Sequence, residues 1–243
     1  MKDLGELKKA MSFSFLKKEA NPKSGSIAYS KNGNTYLGAK IESFNHILDI
    51  TSEHVCLLIA VQNKDPEIEK VETIIEEGIT IVDPLVLKVL CDHSARTGVN
   101  IEYSIFDING NILFDTKNVK EVLQFYSQKV SLIQFGGQPQ SNCVTLESKN
   151  IKKEMKKYVV AGTENYFPTS IPATKFGSAV LTKSNKIYYS GGYASYDHRL
   201  NIHAEMAAAI SAIMADDKEI THLAVVSTKN TEDCCELCGC CRQ

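Results

Sequence analysis

The chain has no excess of either charge. Its 27 Lys and Arg face 29 Asp and Glu, a net charge of -2, and a protein that lives on phosphate contacts needs a basic surface. Nucleic acid is therefore not expected as the main partner. It also lacks an apolar run long enough to cross a bilayer, so no membrane partner is expected. The N-terminal stretch MKDLGELKKAMSFSFLKKEANPKSG carries lysines but no long apolar core and no small-residue cleavage site. It reads as an amphipathic helix rather than a secretion leader, and a cytoplasmic protein is the expectation. Nor are the cysteines spread as a disulfide framework would spread them. Five of the eight (Cys234, Cys235, Cys238, Cys240 and Cys241) fall in the last ten residues, which suits a metal site in a reducing compartment. The remainder is ordinary for a folded protein. With 243 residues, 43% hydrophobic and 23% charged, the chain can build one large core or two small ones.

Within this composition one unit is written twice. GSIAYSKNGNTYLGAKIESFNHILDITSEHVCLLIAV, from Gly25, aligns without a gap with GSAVLTKSNKIYYSGGYASYDHRLNIHAEMAAAISAI, from Gly177, at an offset of 152. Gly25/Gly177, Ser26/Ser178, Tyr36/Tyr188, Ile50/Ile202 and Glu53/Glu205 are among the identities. Each copy predicts a strand (IAYS, SAVLT), a turn (KNGN, KSNK) and a return strand (TYLGAKI, KIYYSGG). A helix follows, Glu53 to Val61 or Ile202 to Met214, and then an apolar strand, ITIVD or HLAVVST. The first copy continues through a helix from Leu85 to Ser94 into strands IEYSIFDI and NILFD, which turn at Asn109-Gly110. VKEVLQFYSQKV predicts a partly helical connection, and Lys152 to Tyr158 a further helix. Alternating strands and helices predict an α/β fold with a helix-covered sheet. The expected division is 1–120, a connection over 121–150, and 151–243.

His203-Ala204-Glu205 opens the helix of the second copy, and Cys238-Gly239-Cys240-Cys241 follows thirty-five residues after His203. Zinc prefers nitrogen and sulfur ligands in a tetrahedron, and a catalytic zinc keeps one position for water. His203, Cys238 and Cys241 can supply three ligands. Glu205 then lies beside the metal, where a carboxylate can move protons between water and a substrate nitrogen. Taken singly, each residue has a plainer reading. A histidine opening an apolar helix usually packs or caps it, a CxxC pair can be redox-active or structural, and helical glutamates usually face solvent. The ordered combination is what points to chemistry.

On these residues the chain resembles the cytidine deaminases, whose signature pairs H-x-E with a later C-x-x-C. The resemblance runs from Tyr166 to Gln243, through YFPTSIPATKFGSAVLTKSNKIYYSGG, LNIHAEMAAAISAI, LAVVSTKN and CGCCRQ. It implies tandem three-layer α/β/α units with a mixed sheet, the second catalytic and the first a silent copy. It also implies a Zn²⁺ hydrolase of pyrimidine salvage that converts cytidine, deoxycytidine or a related nucleoside to the uridine form plus ammonia. His203, Cys238 and Cys241 would hold zinc, and Glu205 would relay protons. The Ala204 carbonyl would accept from the amino group, Phe176 would wall the pocket, and the chain would form a homodimer. In the first copy Thr51 stands where His203 stands, and Leu85 and Lys88 fall near the two cysteine positions. That copy cannot hold the metal, and Glu53 is expected in a buried scaffold role.

Three departures from the family pattern matter. Gly192 and Ala194 occupy the places of an Asn-x-Glu pair that holds ribose hydroxyls. Leu237 replaces the usual proline before the first cysteine. The chain ends at Gln243, just after the motif, so the second unit is expected to be C-terminally incomplete, with a weakened zinc site and low activity. The alternatives are a deaminase of another aminated heterocycle, a non-catalytic zinc-binding scaffold, and a redox or metal module using the cysteine cluster without Glu205.

Overall fold

The computed structural model describes residues 3–43, 49–76, 82–122, 142–147, 149–167, 174–195 and 200–229. The chain divides into two units, Met1–Ala60 with Asp65–Gly137, and Val61–Lys64 with Gln138–Gln243.

In the first unit Asp3 caps helix α1 (Leu4–Ser12) by accepting a hydrogen bond from the Glu6 amide at 3.0 Å. Strands β1 (Ser24–Ser30) and β2 (Thr35–Ala39) form an antiparallel hairpin. Helix α2 (Ser52–Gln62), strand β3 (Ile68–Ile75) and helix α3 (Pro84–Thr97) follow. The Asp83 cap and Pro84 open α3, and Gly98 closes it in the left-handed region at φ 74°. Strands β4 (Glu102–Phe106) and β5 (Ile112–Thr116) and the short helix α4 (Val119–Val122) complete the described part.

The sheet order is β2-β1-β3-β4-β5, and it is mixed: β3 and β4 run parallel and the other neighbours antiparallel. A parallel pair needs a crossover, and α3 is that crossover. Successive side chains on a strand point to opposite faces. Gly25 accordingly backs onto the α1 backbone at Met11, while Ser26 bonds Ser52 at the start of α2 at 2.8 Å. Leu7, Ile27, Ile74 and Phe106 fill the layer beneath α1.

The second unit holds β6 (Cys143–Thr145), α5 (Ile151–Gly162) with a 3-10 turn at Thr163–Asn165, β7 (Phe176–Thr182), β8 (Lys186–Gly191), α6 (Ala204–Met214) and β9 (Ile220–Ser227). Its described strands are ordered β6-β8-β7-β9 and pair antiparallel. Ala179 and Leu181 face α5 with Met155 and Val159, and Val180 faces α6 with Ala208 and Ala212. Helices thus cover both faces.

The two units pair their strands in the same register. Ser24 opposes Ile75 and Phe176 opposes Ser227, each partner 152 residues on. The sheet bulges between Tyr29 and Ser30, and again between Leu181 and Thr182. Left-handed backbone recurs at Lys64 (φ 56°) and Asp216 (φ 55°).

Two sequence expectations differ from this picture. The strand after α2 is Ile68–Ile75, not ITIVD. Of that segment residues 79–81 lie outside the described residues, and Val82 and Asp83 lead into α3. Charges disguise β3. Glu72 is buried in it, and its carboxylate is satisfied by Lys70 Nζ at 2.6 Å and by the Tyr29 hydroxyl at 2.8 Å. Second, α6 starts at Ala204 rather than Ile202, because Ile202 is tied to Tyr193 by two backbone hydrogen bonds of 2.8 Å. Helix α4 covers only the first residues of VKEVLQFYSQKV, whose remainder lies outside the described residues. No helix among the described residues is long and apolar enough to cross a membrane.

Candidate active site

The position of His203 is set by backbone bonding on both sides. After β8 the chain passes Gly192, whose carbonyl accepts from the Phe167 amide at 2.9 Å, and Tyr193, whose ring stacks on Phe167 at 4.9 Å. The bridge from Tyr193 to Ile202 then delivers His203 to the helix start in extended conformation (φ -67°, ψ 155°). Its carbonyl accepts from the Ala207 amide at 2.9 Å. Its side chain does not cap the helix.

His203, Ala204, Glu205 and Phe176 line one cavity of about 280 Å³. Glu205 is 8% exposed. Among the described residues its carboxylate makes no hydrogen bond and no ion pair. Gly192 and Ala194 line the same cavity, as do Tyr166, Tyr193 and Asn201. The sequence reading did not single out those last three. Asn201 was the most legible of them. Its side-chain oxygen accepts from the Ser195 amide at 2.7 Å, just as Asp49 accepts from the Ser43 amide at 2.7 Å in the first unit. Asp49 and Asn201 differ in type, so identity counting passes over them.

The matching position in the first unit is built from other chemistry. Thr51 accepts from the His54 amide at 3.3 Å and so caps α2, a task that His203 does not perform in α6. Glu53, 5% exposed, is held by three hydroxyls. Tyr103 donates to Oε1 at 2.7 Å, Thr73 to the same oxygen at 2.9 Å, and Ser52 to Oε2 at 3.3 Å. Burial and the nearby Glu53 carboxylate push the Tyr103 hydroxyl well above its ordinary pKa. In the register of the second unit Val225 replaces Thr73 and Ala204 replaces Ser52. Two of the three hydroxyls that hold Glu53 are therefore replaced by hydrocarbon around Glu205. Leu85, near one of the two cysteine positions, lines a cavity with Thr51 and Glu53. It offers a metal nothing.

Cys238 and Cys241 lie outside the described residues, as do Cys234, Cys235 and Cys240. Among the described residues no group of three His, Cys, Asp or Glu side chains is placed to hold a metal. The described share of the expected donor set is one imidazole, unused as a helix cap and lining a cavity two residues before a buried carboxylate. This fits a zinc ligand set completed by two thiolates.

No family model matches the chain, and no curated protein sequence matches it. Solved structures do. A cytidine deaminase from Burkholderia pseudomallei is 16% identical, with a TM-score of 0.42 over 49% of this chain and 91% of that one. One from Mycobacterium tuberculosis is 12% identical, with a TM-score of 0.40 over 51% and 94%. One from Mycobacterium leprae is 13% identical, with a TM-score of 0.38 over 49% and 92%.

Proposed function

We propose that the second unit is a zinc-dependent hydrolytic deaminase acting on cytidine, deoxycytidine or a related aminated nucleoside, and that the first unit is its non-catalytic copy. One observation carries this reading: two glutamates at the same helical position differ in their hydrogen-bond partners. Both line a cavity, but Glu53 is held by three hydroxyls, whereas Glu205 is buried, unpartnered among the described residues and shares its cavity with an imidazole. Burying a carboxylate without partners costs free energy, and a position that keeps one is a candidate for chemistry rather than packing.

In this reading His203, Cys238 and Cys241 hold the metal. Bound zinc would supply a Lewis acid that brings the pKa of a water molecule near neutrality. Glu205 takes a proton from the attacking water and delivers it to the ring nitrogen beside the amino-bearing carbon. It then passes a proton to the departing nitrogen, so that a C–O bond forms, the C–N bond breaks and ammonia leaves. The Ala204 carbonyl accepts from the substrate amino group, and Phe176 flanks the ring.

The test is ammonia release from a panel of nucleosides and free bases by the zinc-loaded chain. Glu205→Gln is expected to retain zinc and lose about 10²- to 10⁴-fold in kcat. His203→Ala is expected to lose the zinc itself. Retention of full turnover by Glu205→Gln would sink the reading. The same panel addresses a second reading, an aminated heterocycle without ribose. It is favoured by Gly192 and Ala194, which line the cavity and bring no hydrogen-bonding side chain.

A further inference from the structure

We propose that Gln62, the last residue of α2, is a positioning residue for the candidate active site: its buried amide sets where the first turn of α6 stands, and with it His203, Ala204 and Glu205. The inference rests on the deaminase reading of the second unit, to which Gln62 belongs. Gln62 is fully buried, and all four hydrogen-bonding positions of its amide are filled. Its Nε2 donates to the Ser190 hydroxyl of β8 at 2.7 Å and to the Ala207 carbonyl of α6 at 3.1 Å. Its Oε1 accepts from Asn142 at 3.1 Å and from Ser211 at 2.8 Å. A carbonyl can only accept, so the Ala207 contact fixes which end of the amide is nitrogen. Ala207 in turn gives its own amide to the His203 carbonyl at 2.9 Å. One side chain thus ties the first turn of α6 to the strand that ends beside the cavity residue Gly192.

The repeat shows that this device belongs to the second unit alone. At the offset of 152, Gln62, Ser190 and Ser211 correspond to Met214, Gly38 and Ile59, none of which carries a side-chain N–H or O–H. The strands keep their register, Ser178 opposing Ser190 as Ser26 opposes Gly38. At Gly38 helix α2 lies directly on its strand, since a Cβ there would collide with the Ser52 carbonyl and the Cys56 amide. Ser190 has that Cβ, and the counterpart of Ser52 is Ala204. The Ala204 carbonyl therefore cannot rest against β8 as the Ser52 carbonyl rests against β2. The Gln62 amide, bonded to both Ser190 and Ala207, spans the difference. Sliding α6 along or off the strand would leave buried polar groups unpaired, which makes this one placement of the turn the favoured one. Reacting groups are sensitive to displacements of about 1 Å, and this turn carries the imidazole, the carbonyl and the carboxylate of the candidate site.

The test compares the full chain with Gln62→Met, which keeps the length of the side chain and removes its amide, and with Ser190→Ala, which removes one of the four partners. In the zinc-free chain Gln62→Met is expected to speed exchange of the Ala207 and Ala208 amides at least about tenfold. The amides of β7 and β8 are expected to exchange as before. In the zinc-loaded chain, turnover of cytidine is expected to lose about 10- to 100-fold in kcat, with KM within about twofold and zinc still bound. Ser190→Ala is expected to move both readouts in the same direction by less, and it decides the matter by the same readouts should Gln62→Met not fold. Unchanged exchange at Ala207 and Ala208, exchange raised equally throughout β7 and β8, or full kcat in an active Gln62→Met chain would overturn the inference. A parent chain that releases no ammonia, while Gln62→Met still loosens Ala207 and Ala208 selectively, would refute the deaminase reading and leave the hold of Gln62 on α6 standing.

Discussion

At the scale of single residues, buried carboxylates separate structural from chemical roles. Asp65 is the structural extreme. It accepts from Ser30 at 2.6 Å, Asn34 at 2.8 Å, Tyr36 at 2.7 Å and Asn32 at 2.7 Å. Burial alone would raise its pKa, but those four donors hold it below the ordinary carboxyl value. Asp217 repeats the device in the second unit with Thr182, Ser184 and Tyr188. Asp65→Ala is expected to cost about 2–4 kcal/mol, because it strands two buried donors, Ser30 and Tyr36, at once. Tyr36→Phe removes one donor and is expected to cost about 1 kcal/mol. Urea unfolding of both variants measures the difference. The Tyr36/Tyr188 identity was visible in the sequence. The carboxylate that it serves was not, because Asp65 lies 29 residues away and pairs only through the fold.

At the scale of elements, close approach and backbone conformation explain why certain positions match between the units. A side chain at Gly177 would run into the backbone of α5 at Val159 and of the following 3-10 turn at Thr163, as one at Gly25 would run into α1 at Met11. Backbone cannot move aside as a side-chain tip can, so Gly177→Ala is expected to cost at least about 1–3 kcal/mol, read as a lowered denaturation midpoint. Lys64 offers the opposite case. It sits in left-handed backbone at φ 56°, a conformation that penalises side chains but not glycine. Lys64→Gly is expected to stabilise by about 0.5–1 kcal/mol. The elements also mark where sequence pattern misled. The apolar run ITIVD reads as a strand more readily than Ile68–Ile75, with its Glu69, Lys70 and Glu72. Partners for those charges come from β1 and from the strand itself, which no local pattern reveals.

For the molecule as a whole, acid stability exposes the α2–α3 contact of the first unit. Burial, reinforced by His93 and Arg96, lowers the His54 pKa to about 3, and burial lowers that of His93 to about 4, from an ordinary 6.5. The unfolded chain therefore takes up protons near pH 6.5 that the folded chain refuses. Stability is complete above that pH and falls on acidification, by up to about 1.4 kcal/mol per pH unit for each histidine. Glu42 contributes only lower down. Burial works against it, but Lys40, Asn21 and the Lys17 amide bring its pKa to about 2, so its share is lost below about pH 4.5. Urea midpoints between pH 7 and 5 are thus expected to fall, and replacing both histidines with neutral residues is expected to flatten that decline.

The repeat at an offset of 152, most of the strands and helices, and the closeness of His203 and Glu205 are legible in residue order alone, because these depend on periodicity and on neighbours within a helical turn. Three-dimensional packing sets which of the two glutamates is held by hydroxyls and which has no partner among the described residues. Thr73 and Tyr103 reach Glu53 from 20 and 50 residues away. A buried charge is governed by the groups that surround it in space, and the register of the sheet, not the order of the chain, chooses them.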